Sequence, residues 1–128
     1  MSFKNLTAYQ KAFAVAIKIF LLTKKFPKEE IFGLTSQMRR SSRAICSNIA
    51  EGYRKRRYEA HFISKLTDAD SENSETSVWL DFSLACNYIT QQEYNALYAE
   101  IEEIGRMLFY MISNPSKFLP KADNKNVS

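Results

Sequence analysis

The densest chemistry in this sequence is cationic. Arg39, Arg40 and Arg43 are followed closely by the run Arg54-Lys55-Arg56-Arg57. Guanidinium forks bind phosphate oxygens two at a time, and each phosphate neutralised releases counterions, so such a cluster suits a polyanion. Lys4, Lys11, Lys18 and Lys25 recur every seven residues, which holds them on one stripe of a helix. Lys11 and Lys18 therefore join the seven clustered cations as candidate nucleic-acid contacts. Tyr53 and Tyr58 flank the cluster and have faces on which bases stack, although boundary packing is the commoner use of tyrosine. A solvated basic face, or cations placed against a helix C-terminus, is the competing reading of the same residues.

The acidic residues form a second pattern. Asp68, Glu72 and Glu75 stand at i, i+4 and i+7, on one face of a helix. Carboxylates alone can hold a hard cation, but exposed acids usually form a solvated or ion-paired face. Glu72 and Glu75, with Glu100, Glu102 and Glu103, are also candidates for contact with the basic face of a neighbouring subunit, a head-to-tail arrangement that closes into rings.

Catalytic patterns are missing. Tyr58 stands three residues before the single histidine, His61, so the paired Glu-x-x-His motifs of di-iron bundles cannot form. Three glycines supply no nucleophile elbow, Walker loop or dinucleotide fingerprint. Cys46 and Cys86 have no CxxC spacing and give neither a zinc pattern nor a disulfide framework. No catalytic residue, metal or cofactor is expected, and the chemistry to look for is binding.

These residues must be positioned by helices. The chain has 128 residues, 45% hydrophobic and 25% charged, which suits one globular domain. Three Gly and three Pro are too few for an all-β chain rich in turns. A first helix is expected from about Thr7 to Lys25, with Leu6, Tyr9, Phe13, Ile17 and Phe20 as its apolar face. Phe26-Pro27 and Gly33 interrupt the chain. Thr35 is the expected N-cap of a second helix to about Tyr53, with Leu34, Met38, Ser42, Ile45 and Ile49 inward. A third, from about Tyr58 to Tyr88, carries the seam Phe62, Leu66, Ala69, Asn73, Thr76, Leu80 and Ser83. A fourth begins after Thr90, where Glu93 completes a capping box, and buries Tyr94, Leu97, Ile101, Ile104, Leu108 and Met111. Asn114-Pro115 ends it. The fold class is all-α, an antiparallel up-and-down four-helix bundle over residues 1–115, with a polar, partly disordered tail at 116–128.

Charge divides along the chain. Residues 1–66 hold fourteen basic and four acidic residues, and residues 67–128 hold four and ten, giving +10 and −6. That asymmetry suggests a polyanion partner, self-association of opposite faces, or both. The N-terminus shows no charged-then-apolar leader. Lys18 breaks the apolar stretch Phe13–Leu22, which is too short to span a bilayer. A reduced, cytoplasmic protein without a membrane partner is expected.

The run Phe26-Pro27, Glu30, Gly33-Leu34-Thr35-Ser36-Gln37-Met38-Arg39-Arg40, leading into Ser47-Asn48-Ile49-Ala50-Glu51-Gly52, closely resembles a family signature. The family is that of bacterial four-helix-bundle proteins encoded in intervening sequences of 23S ribosomal RNA genes. Lys65-Leu66, Asp68-Ala69, Glu72, Glu75-Thr76 and Trp79-Leu80 extend the likeness to most of the chain. The resemblance implies a ring-shaped homo-oligomer, a pentamer, and kinship with the accessory protein of diversity-generating retroelements. That relative forms a basic barrel that binds nucleic acid and a reverse transcriptase, so RNA, DNA and a reverse transcriptase or other protein are the implied partners. Arg39, Arg40, Asn48, Glu51 and Gly52 occupy signature positions, and Gln37 and Asn48 are candidates for hydrogen bonds between helices. The acidic second half departs from a uniformly basic barrel.

Overall fold

The computed structural model describes residues 2–120. Four helices account for most of them: α1 (Thr7–Thr23), α2 (Leu34–Arg54), α3 (Glu59–Ala85) and α4 (Gln91–Ser113). Short 3-10 turns occupy Phe3–Asn5, Lys28–Glu30 and Pro115–Lys117, and no strand occurs among the described residues. Each helix packs on its sequence neighbours and α4 closes back on α1. The order around the bundle is therefore α1, α2, α3, α4, as the short connections of an up-and-down bundle require. The α2–α3 interface is the most extensive and the α1–α4 interface the least.

The third helix buries its expected seam, and the fourth buries all of its own except Tyr94, which stays half-buried with its hydroxyl donating to Asp81 Oδ1. All seven α3 seam residues, Phe62 to Ser83, are buried, as are Leu97, Ile101, Ile104, Leu108 and Met111 of α4. Thr90 caps α4 through the full capping box: its hydroxyl accepts from Glu93 N–H at 3.0 Å, and Glu93 accepts from Thr90 N–H at 2.9 Å. The α3 helix stops at Ala85 because Asn87 takes a φ of 62°, a left-handed conformation Asn tolerates. Tyr88 N–H then donates to the Ser83 carbonyl at 2.9 Å. At the other end, Pro115–Lys117 returns Phe118 against Phe62, ring centroids 6.1 Å apart. Residues 121–128 of the expected tail lie outside the described residues.

Two local expectations are corrected. The α1 helix does not bury Tyr9, Phe13, Ile17 and Phe20. It buries Ala8, Ala12, Val15, Ala16, Ile19 and Thr23, while Phe13 is 51% and Ile17 45% exposed. The helix is apolar on two adjacent stripes, about 100° apart at 3.6 residues per turn. The stripe with three alanines faces inward, where small side chains let helices approach closely. The start of α2 is not capped by Thr35, which is buried in the first turn. Gly33 is the N-cap residue, and the Leu34 N–H donates to Glu30 Oε1 at 3.0 Å.

Candidate nucleic-acid interface

The α2 and α3 helices turn over at the densest run of cations. Arg54, Lys55 and Arg57 are exposed there, and none forms an ion pair with a described residue. They stand at the C-terminus of α2, where the helix dipole favours positive charge. Arg56 is held differently. Its guanidinium lies 3.9 Å from the Tyr53 ring centroid, and Nη1 donates to the Tyr53 carbonyl at 2.9 Å. Tyr53 is thereby buried under Arg56 and offers no face to a base. Tyr58 is exposed, with His61 beside it at 5.7 Å between rings, and keeps that capacity.

The other candidate cations fall into two groups. Arg39 and Arg43 lie over the Phe20 ring at 4.8 and 5.8 Å, a cation–π arrangement that steadies both guanidinium groups. Arg39 Nε also donates to Thr23 Oγ1 at 2.9 Å. Sequence reasoning placed Phe20 in the core and missed it as a platform, because its distance from Arg39 depends on how α1 and α2 are aligned.

The remaining group is neutralised within the chain. Arg40 reaches across to α3 and pairs with Glu72, at 3.2 Å, and with Glu75, so the two acids singled out for subunit contact are engaged inside the protomer. The lysine stripe faces α4: Lys11 pairs with Glu103 at 3.3 Å, Lys18 with Glu100 at 2.6 Å and Lys25 with Glu93 at 3.3 Å. Lys65 of α3 pairs with Glu51 of α2 at 2.8 Å. This hydrogen bond lowers the Glu51 pKa and raises that of Lys65. Among the candidate cations, Arg54, Lys55 and Arg57 at one end of the bundle and Arg43 along its α1–α2 side are thus exposed without an ion pair to a described residue, and Arg39 beside Arg43 is half-buried and likewise unpaired.

No group of three or more His, Cys, Asp or Glu among the described residues is arranged to hold a metal ion. Both cysteines are free, and burial pushes the Cys46 thiol up to about 11, which keeps it protonated at neutral pH. No helix among the described residues is long and apolar enough to cross a membrane.

The model of the family described as 23S rRNA-intervening sequence protein matches residues 4–110. This chain belongs to that family. A solved structure from Bacteroides thetaiotaomicron, a protein with unknown function from the S23 ribosomal protein family, has the same fold with a TM-score of 0.76. It is 30% identical, and the match covers 83% of this chain and 98% of that one. No curated protein matches the chain. The family-signature residues lie largely on α2, and packing explains several of them. A Cβ on Gly52 would meet Lys65 Cβ at 3.1 Å and the Phe62 carbonyl oxygen at 3.5 Å, so glycine lets α3 close on α2. Glu30 and Gly33 start α2 together. Gln37 accepts from Arg40 within α2 at 3.3 Å rather than bonding across to another helix.

Proposed function

We propose that this chain is a non-catalytic accessory protein that binds RNA or DNA through the cationic end of its bundle, as a homo-oligomeric ring. The observation that carries the reading is the freedom of Arg54, Lys55 and Arg57, which stand exposed and without an ion pair to a described residue, while Arg40, Lys11 and Lys18 are paired with carboxylates of the same protomer. Free guanidinium and ammonium groups beside an exposed tyrosine combine phosphate attraction with a stacking surface. Nothing in the arrangement reads base edges, so the binding is of backbone type and sequence-tolerant. Two free thiols fit the reducing cytoplasm, and the likeness to retroelement accessory proteins favours a ring of five with a reverse transcriptase or other protein as a further partner.

The test is fluorescence anisotropy with labelled RNA and DNA across a salt series. Replacing Arg54, Lys55 and Arg57 together by Gln should weaken binding. It should also flatten the slope of log K against log salt by about 0.9 for each duplex-DNA phosphate that is no longer neutralised. Failure of the unaltered protein to bind either nucleic acid at low salt would refute the reading.

A second reading, a self-assembly or protein-interaction scaffold without nucleic acid, is favoured by one observation. Phe13, Ile17 and Leu21 of α1 are all about half exposed, and contiguous apolar surface usually marks an interaction site.

A further inference from the structure

Three separate segments of the chain bring cations to one end of the bundle. In an up-and-down bundle α1 and α3 start where α2 and α4 finish, and that end holds the Arg54–Arg57 turn. The turn Phe3–Asn5 packs on α2, where Phe3 borders a groove with Ala50. The turn Pro115–Lys117 packs on α3, and Phe118 beside it stacks on Phe62 near the start of that helix. These turns carry Lys4 and Lys117 to the same end as Arg54, Lys55 and Arg57. Both lysines are exposed, and neither is ion-paired with a described residue. The acids nearby are Glu51, engaged by Lys65 at 2.8 Å, and Glu59, in the first turn of α3, where the helix dipole favours a carboxylate.

An aromatic ring stands among these charges. Tyr58 is 61% exposed, so most of its ring meets water. It is the N-cap residue of α3, and its backbone is fixed on both sides. Its N–H donates to the Lys55 carbonyl at 3.0 Å, and its carbonyl accepts from the Phe62 N–H at 3.0 Å. A ring anchored in this way keeps its place while its face stays open. His61, also exposed, lies beside it at 5.7 Å between centroids, the two rings tilted by 54°. Stacking on a side-chain ring needs a base with a free face, as unpaired strands provide. The interior bases of a duplex are covered above and below by their neighbours and offer none.

We propose that the ligand of the cationic end is single-stranded nucleic acid, with a base stacked on Tyr58 and its phosphates on Arg54, Lys55, Arg57, Lys4 and Lys117. The inference rests on the nucleic-acid reading proposed for the function and adds the form of the ligand and two further contact residues. Attraction to phosphate alone holds single and double strands alike. The ring supplies the preference, because it adds affinity only for a strand whose bases can leave the stack. A tyrosine face accepts any base, so the preference is for form and not for sequence.

The test is fluorescence anisotropy on the full chain and on variants whose helicity is checked by circular dichroism. The labelled probes are oligo-dT and oligo-U strands, each alone and in duplex with its complement. The unaltered protein should bind the single strands more tightly than the duplexes. Tyr58→Ala should weaken single-strand binding about tenfold and leave duplex binding unchanged. Tyr58→Phe keeps the ring and should keep the affinity. Changing Lys4 and Lys117 together to Gln should flatten the single-strand slope of log K against log salt by about 0.7 for each phosphate released. Duplexes bound as tightly as single strands, a Tyr58→Ala variant that loses nothing or loses equally on both forms, or a Tyr58→Phe variant as weak as the alanine one would each overturn the single-strand assignment. An unchanged slope would remove Lys4 and Lys117 from the contact. In all these cases the cationic end still stands if the Arg54, Lys55 and Arg57 variant loses affinity. No binding of any probe by the unaltered protein at low salt overturns both proposals.

Discussion

Lys18 Nζ lies 2.6 Å from Glu100 Oε2, tying the middle of α1 to the middle of α4. Both groups are substantially exposed, so the pair is worth only about 0.2–1 kcal/mol. We expect Lys18→Glu to destabilise the fold by about that much in urea unfolding, and the double variant with Glu100→Lys to recover most of the loss. Because Lys11 and Lys18 are already paired, changing both to Gln should reduce RNA affinity far less than the Arg54, Lys55 and Arg57 replacement does. Equal losses in anisotropy would show that the stripe also meets the ligand.

Acid should weaken the protein in a defined window. The Leu34 N–H and then the Tyr88 hydroxyl hold the Glu30 pKa below its ordinary 4.5. The Thr90 N–H bond lowers Glu93 and the Lys65 bond lowers Glu51. A carboxylate with a depressed folded-state pKa contributes stability above its unfolded value, and that contribution is lost as pH falls through the folded one. The melting temperature should therefore hold steady with respect to these groups from pH 7 down to about 5, then fall below about 4.5. Glu30→Gln should flatten that fall, and an unchanged profile would show that Glu30 does not contribute.

Gly52 should not tolerate a large side chain. Its missing Cβ already lies against Lys65 and Leu66. Gly52→Leu is expected to cost about 1–3 kcal/mol by overpacking the α2–α3 interface, measured by chemical denaturation. A neutral result would mean that α3 moves away freely.

The capping box of α4 sets its entry from the preceding turn. Thr90→Ala removes the acceptor for Glu93 N–H and should cost about 1 kcal/mol. Thr90→Ser should restore most of it, as read by thermal melts.

How much of the fold and the site is legible in the sequence depends on whether an element has one apolar frame or two. In α3 and α4 only one stripe repeats at helical spacing, and Phe62 to Ser83 and Leu97 to Met111 can be placed from the sequence. In α1 both Ala8-Ala12-Ile19 and Tyr9-Phe13-Phe20 satisfy the period. Size favours the aromatic stripe in any reading of hydrophobicity, yet close packing selects the alanines. Thr35 resembles a cap by residue type, but the donor is satisfied by Glu30, four residues before Leu34, which composition does not announce. The arginine cluster is legible as a cluster. Its division is not, because Arg40 with Glu72 and Lys18 with Glu100 meet across helices whose relative sliding no single-helix pattern encodes.

The α1–α4 edge is the least extensive interface of the bundle and is laced by Lys11, Lys18 and Lys25 to their glutamates. Electrolyte shortens the reach of such attractions, to roughly 8 Å at physiological strength. Brine strong enough to strip the proposed polyanion from the Arg54–Arg57 pole would thus also slacken the protein's own side seam, and a titration curve for release would carry both events in one slope.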